Sequence, residues 1–200
     1  MLPHSAPPAS GRGRPLRWLL TSRWLRAAAV AVAIVAWPAC AQPPDEVHEA
    51  EGPVVMAPLD FTLKDMHGKD VRLAGFKGRP LIVNFWATWC APCKVEIPIF
   101  VELVDRYRTE QLTVLGISID DTPEDLRAFA ADFKINYPVL VGLNQSEIQE
   151  AYDAVFAIPV TWFIRADGSV YLKHTGPATK EWFEQQAQNL LAGGPAQETR

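Results

Sequence analysis

Two cysteines three positions apart, Cys90 and Cys93, are the residues of this 200-residue chain best suited to covalent chemistry. Closing a disulfide across two intervening residues demands a tight backbone turn, and the first turn of an α-helix supplies one. Pro92 suits that position, because its φ is already helical and its missing N–H is one a helix start leaves unpaired anyway. Free amides and the positive end of the helix dipole there favour thiolate over thiol. Cys90 is therefore the expected nucleophile, and Cys93, one turn deeper, the resolving thiol. A zinc half-site would need two further ligands at matching spacing, yet there is no second Cys-x-x-Cys and no His-x-x-x-His, and His67 and His174 stand alone. A structural staple would close so short a loop that it would restrain the unfolded chain little. The expectation is a redox pair with no metal and no cofactor.

Glu96 lies three residues after Cys93, so on a helix its carboxylate can reach back towards the thiols. The residues alone leave it open between that use and an exposed acid stabilised by the helix dipole. Pro98 removes a backbone hydrogen bond from the same helix and predicts a kink.

The elements that position these groups are legible on both sides of them. Leu81 to Trp86 is an apolar strand running into the cysteine pair, and the helix after it ends near Arg108. Thr113 to Ile119 is a nearly continuous apolar run, as a strand covered on both faces should be, and strand, helix, strand makes a right-handed crossover with a parallel pair. Upstream, Leu59 to Leu63 and Val71 to Leu73 form a hairpin around Met66-His67-Gly68-Lys69. Downstream, Thr122 caps and Pro123 opens a helix to Phe133 with Leu126, Phe129, Ala130 and Phe133 on one face. The acids Asp120, Asp121, Glu124 and Asp125 are explained by its first turn, and an alternating calcium loop is absent. Tyr137 to Val141 reads as a short strand and Ser146 to Tyr152 as a short helix. Ile158 to Ile164 and Ser169 to His174 are joined by the hairpin signal Asp167-Gly168, with His174 solvated at the strand end. Thr179 caps a last helix that turns Trp182, Phe183, Ala187 and Leu190 inward and ends at Gly193-Gly194.

With Trp89-Cys90-Ala91-Pro92-Cys93, Lys94-Val95-Glu96-Ile97-Pro98 and Ile158-Pro159 in place, the stretch from Ala57 to about Leu191 resembles the thioredoxin-like TlpA/ResA group of bacterial envelopes. Asn84, six residues before Cys90, stands where cytosolic thioredoxin carries a buried Asp. The resemblance implies an α/β thioredoxin fold: a central mixed sheet flanked by helices, with an N-terminal β-hairpin and a central strand-helix insertion. It implies that Glu96 takes part in proton transfer, that Pro159 is cis and faces the cysteines, and that Trp89, Pro92, Ile158 and Pro159 meet substrate. Val160 departs from the Thr common after this proline. Expected partners are protein disulfides and thiols, apocytochrome c or copper-site proteins among them, with a membrane thiol donor for recharging.

Other activities fit the residues less well. A disulfide-introducing oxidase of this fold usually has a long helical insertion and a His between the cysteines, where Ala91 and Pro92 stand here. A peroxiredoxin site, Pro-x-x-x-Thr-x-x-Cys, would place Pro and Thr at Val83 and Ala87. A copper-binding assembly factor could hold Cu(I) between the two thiolates with a His such as His174, although related copper carriers space their cysteines by three.

The first 41 residues differ in kind from the rest. They hold five arginines and no acid, the apolar run Ala27 to Trp37, and then Ala39-Cys40-Ala41, the pattern of a secretory signal. The run is short of the roughly 20 residues that span a bilayer, although membrane tethering through residues 24–40 stays open because arginines near a span's end can snorkel. Ala39-Cys40 also fits a lipoprotein signal, with Cys40 lipidated, so lipidation and cleavage near Ala41 stand as alternatives. Either way the expected location is the bacterial periplasm or cell envelope. Without the five leader arginines, 14 basic face 23 acidic residues, a net of minus nine, which argues against nucleic acid as a partner. The expected organisation is a leader or anchor over 1–41, an acidic flexible linker over 42–56, one monomeric domain over 57–192 and a disordered tail over 193–200.

Overall fold

The computed structural model describes residues 54–194. The leader with Cys40, most of the linker and the last six residues therefore lie outside the described residues.

The chain runs β1 (Thr62–Lys64), β2 (Asp70–Arg72), a 3-10 turn (Leu73–Phe76), β3 (Leu81–Trp86), α1 (Ala91–Arg106), β4 (Thr113–Ser118), α2 (Pro123–Asp132), β5 (Val139–Val141), α3 (Ser146–Ala151), β6 (Val160–Ile164), β7 (Val170–Thr175) and α4 (Lys180–Leu191). β1 and β2 pair antiparallel as a separate ribbon, and the remaining strands form one sheet in the order β5-β4-β3-β6-β7. β3, β4 and β5 are parallel, β6 runs antiparallel to β3, and β7, antiparallel to β6, returns to the direction of β3. This is the mixed sheet with an N-terminal hairpin that the resemblance implied.

β3 sits at the centre, and all six of its residues are buried. Its period of two splits the core. Ile82 and Trp86 join Ile97, Phe100, Phe163, Phe183 and Leu190 on the face covered by α1 and α4. Leu81, Val83 and Phe85 join Leu63, Leu73, Ile117, Tyr152 and Trp162 on the other.

Several boundaries move for local reasons. β1 starts three residues later than expected because the Leu59 amide bonds to Ala57 O (2.9 Å), away from the ladder. β5 begins only after Pro138, which has no N–H to give a strand. The hairpin turn forms as read: Asp65 accepts from the amides of His67 (2.8 Å) and Lys69 (2.9 Å), and Gly68 takes φ +84°. Thr122 and Thr179 both cap, each accepting from the amide three residues on, and each cap contributes about 1 kcal/mol. At the end of α4, Gly194 N bonds to Asn189 O and Gly193 N to Leu190 O with Gly193 at φ +69°, which is a Schellman closure.

Gly116 in β4 answers to a close approach. A Cβ there would stand 2.9 Å from Trp86 Nε1 and 3.2 Å from Tyr137 Cε2, and Trp86 is fully buried. Neither ring has room to retreat, so Gly116→Ala is expected to cost about 1–3 kcal/mol, read as a lowered denaturation midpoint. An unchanged midpoint would show that the ring yields freely.

Candidate active site

The cysteine pair lies where β3 ends and α1 begins. The two sulfurs form a disulfide of 2.00 Å, with Cα atoms 5.3 Å apart. Cys90 is itself the N-cap of α1 and its Sγ accepts from the Cys93 amide at 3.3 Å, so the sulfur occupies the place where a capping oxygen would sit. Pro92 falls in the first turn, as its missing N–H allows. Both sulfur residues are almost wholly buried, whereas Trp89, just before them, is 61% exposed. The helix continues through Pro98 to Arg106.

Register brings the second half of the chain to the same place. Val160 stands opposite Phe85, so Pro159 sits at the end of β3 where the cysteine loop leaves the sheet. The Ile158–Pro159 bond is cis, and Ile158 packs against the cluster that contains both cysteines. The Pro159 carbonyl accepts from Gly176 N at 2.8 Å, which ties this loop to the one after β7.

Glu96 is 1% exposed, so the reading of it as a solvated first-turn acid fails. Its Oε1 accepts from the Ala178 amide at 3.0 Å, and its Oε2 is buried with no partner among the described residues. Burial pushes the carboxyl up from the usual 4.5 to about 7, against the opposing pull of the Ala178 N–H. A carboxyl so placed changes protonation near neutral pH.

Asn84, also buried, donates to Thr161 Oγ1 at 3.0 Å, and Thr161 is the cross-strand neighbour of His174. His174 is not a solvated strand end. Its ring lies 4.4 Å from that of Trp182 and its Nε2 is buried, because α4 folds back over the last turns of β7.

The acids after β4 also depart from expectation. Only Glu124 and Asp125 lie in the first turn of α2. Asp121 is 6% exposed and accepts from Thr88 N (2.7 Å), Thr88 Oγ1 (2.5 Å) and Ser118 Oγ (2.5 Å), while Asp120 accepts from Trp89 Nε1 at 3.0 Å. The pairings with Thr88 and Trp89 span 33 and 31 residues of sequence, and no spacing rule reveals them. Phe156, 94% exposed two positions before Ile158, likewise carries no sequence signal that would single it out. Among the described residues no group of three His, Cys, Asp or Glu side chains could hold a metal ion.

A dithiol pair capping a helix at the carboxyl end of the central strand of this sheet, with a cis proline beside it, defines a thioredoxin-fold thiol-disulfide oxidoreductase. Residues 55–173 match the AhpC/TSA family, and the chain belongs to it. It is similar to the thiol-disulfide oxidoreductase ResA of Geobacillus thermodenitrificans, 31% identical over 131 residues that make up 66% of this chain and 74% of the relative. Among solved structures it is similar to a thioredoxin-family thiol:disulfide interchange protein from Chlorobium tepidum (29% identity, TM-score 0.64, 71% of this chain and 99% of that one). It is also similar to an exposed lipoprotein thioredoxin of Streptococcus pneumoniae (27% identity, TM-score 0.56, 66% of this chain and 99% of that one).

Proposed function

We propose that the protein is an exported reductase of disulfides in envelope proteins. The observation that carries this reading is Glu96, a buried carboxyl near pH 7 one turn beyond Cys93 and able to take the proton of the second thiol. The Cys90 thiolate attacks a substrate disulfide, forming a mixed disulfide and releasing one substrate thiolate. Cys93, losing its proton to Glu96, attacks Cys90 Sγ and releases the other. Two electrons pass to the substrate, whose thiolates take up protons, and the protein is left as the Cys90–Cys93 disulfide for a membrane thiol donor to reduce.

Exposed Trp89 and Phe156 support recognition of apolar polypeptide beside the pair, with Pro92, Ile158 and Pro159 lining its path. Substrates of this chemistry include the cysteines of apocytochrome c and of copper sites before metal loading. The basic and apolar leader supports export, and Ala39-Cys40 supports lipidation of the kind named for the pneumococcal relative. In this reading the linker over 42–56 tethers one monomeric domain. Among the described residues no helix is long and apolar enough to cross a membrane.

The test is the reduction potential of the Cys90–Cys93 couple, measured by equilibrating the purified protein in graded thiol buffers and counting trapped thiols on the 90–93 peptide by mass. A value below about −220 mV is expected. One near −120 mV would make the protein an oxidase instead. Failure to form the disulfide would leave the Cu(I)-binding alternative.

A further inference from the structure

We infer that Asp121, with Asp120 beside it, is a positioning residue for Cys90 that biases the dithiol couple towards reducing potentials. This rests on the reductase reading and gives it a physical cause. The loop between β3 and α1 is only four residues, Ala87 to Cys90, and Cys90 ends it by donating its amide to Ala87 O at 3.1 Å. The two residues between those ends are held from outside. Thr88 gives both its backbone N–H and its hydroxyl to the Asp121 carboxylate, and Trp89 gives its indole N–H to Asp120. Two adjacent acids on the β4–α2 loop thus grip the two residues immediately before the nucleophile.

The grip is anchored in the sheet. Ser118, the last residue of β4, pairs in register with Trp86, the last residue of β3, and Ile119 N donates to Trp86 O at 3.0 Å. The Ser118 hydroxyl donates to the carboxylate of Asp121 and accepts from its amide at 3.4 Å. Asp121 Oδ1 and Oδ2 together accept three hydrogen bonds, two of them from Thr88.

A fixed anion beside this loop has a directional effect on the couple. Only the reduced form puts negative charge on Cys90, because the disulfide is neutral. The carboxylates therefore raise the energy of the thiolate and leave the oxidised form untouched, opposing the helix start that favours the thiolate. Electrons are then given up more readily, as a reductant requires.

Asp121→Asn keeps the shape and removes the charge. In the purified protein it is expected to shift the equilibrium with a thiol buffer roughly three- to tenfold towards the dithiol, tenfold being about 30 mV, and to raise the thiolate fraction of Cys90, read from its ultraviolet absorbance, in the same direction. Thr88→Val removes one hydrogen bond and keeps the charge, so it is expected to lower the melting temperature while the potential stays at the parent value. Should Asp121→Asn fail to fold, Asp120→Asn, which alters an exposed carboxylate, decides the matter with a smaller shift of the same sign. Loss of stability with unchanged potential and unchanged thiolate fraction would reduce Asp121 to a structural tie and overturn the inference, as would a shift towards the disulfide. The inference is judged by the difference between variant and parent, whereas the parent's absolute potential judges the reductase reading.

Discussion

Cys90→Ser is expected to reduce turnover of a disulfide-bonded peptide to the uncatalysed background, while Cys93→Ser is expected to accumulate a stable mixed disulfide between Cys90 and the peptide. The asymmetry follows from position. Cys90 caps α1, where the Cys93 amide already donates to its sulfur and the helix dipole supports a negative charge on it. Cys93 lies inside the helix and is 1% exposed against 4% for Cys90, so the asymmetry rests on the cap position of Cys90 more than on burial. Removing the nucleophile stops the first bond from forming. Removing the resolving thiol lets that bond form and then leaves nothing in place to break it. Mass spectrometry of the acid-quenched reaction distinguishes the two directly. Adduct on Cys93 in the Cys90→Ser variant, with none in the reciprocal one, would reverse the assignment.

Glu96→Gln is expected to remove most of the pH dependence of stability around neutrality. The folded protein holds this carboxyl near 7 against a usual 4.5, so folding favours its protonated form. That contribution is complete below about pH 4.5, declines as the pH rises through about 7, and is gone above it, where the carboxylate stays buried beside a single N–H. With allowance for partial hydration, the charged form costs about 2 kcal/mol relative to the neutral one. Gln keeps an oxygen for the Ala178 amide and carries no charge. The variant should therefore match the parent near pH 5 and exceed it by about 2 kcal/mol near pH 9, measured by urea denaturation at each pH. Parallel curves for the two proteins would mean that Glu96 is not the group responsible. Release of substrate from the mixed disulfide should slow by about a hundredfold at pH 7, as loss of a general base for the Cys93 proton requires. An increase in stability accompanied by a loss of rate is the signature of a group retained for chemistry rather than for folding.

How much of this was legible beforehand depends on the range of each interaction. The Cys90 helix start, the Thr122 and Thr179 caps, the Gly68 turn and the Gly193 helix end all rest on residues within five positions of one another, and the spacing rules that describe such contacts hold here. The strand pattern of β3 was equally plain, because a strand buried on both faces admits little but apolar residues. The cis proline came from resemblance alone, since few X-Pro bonds are cis and nothing local marks this one.

By itself the sequence determined the cysteine pair at a helix start and the succession of strands and helices around it, which follow from local geometry and from the period of burial, whereas the mixed order of the sheet came from the resemblance. Only the tertiary structure decided what surrounds that pair. Glu96 became a buried acid because the loop after β7 closes over it, His174 was covered by Trp182 of α4, and Asp121, expected among the first-turn acids of α2, bonds instead to the loop before Cys90. Each of these joins residues from 8 to 82 positions apart. Their proximity is set by strand order and helix packing, and so the environments that tune the thiols appear only once the whole sheet is assembled.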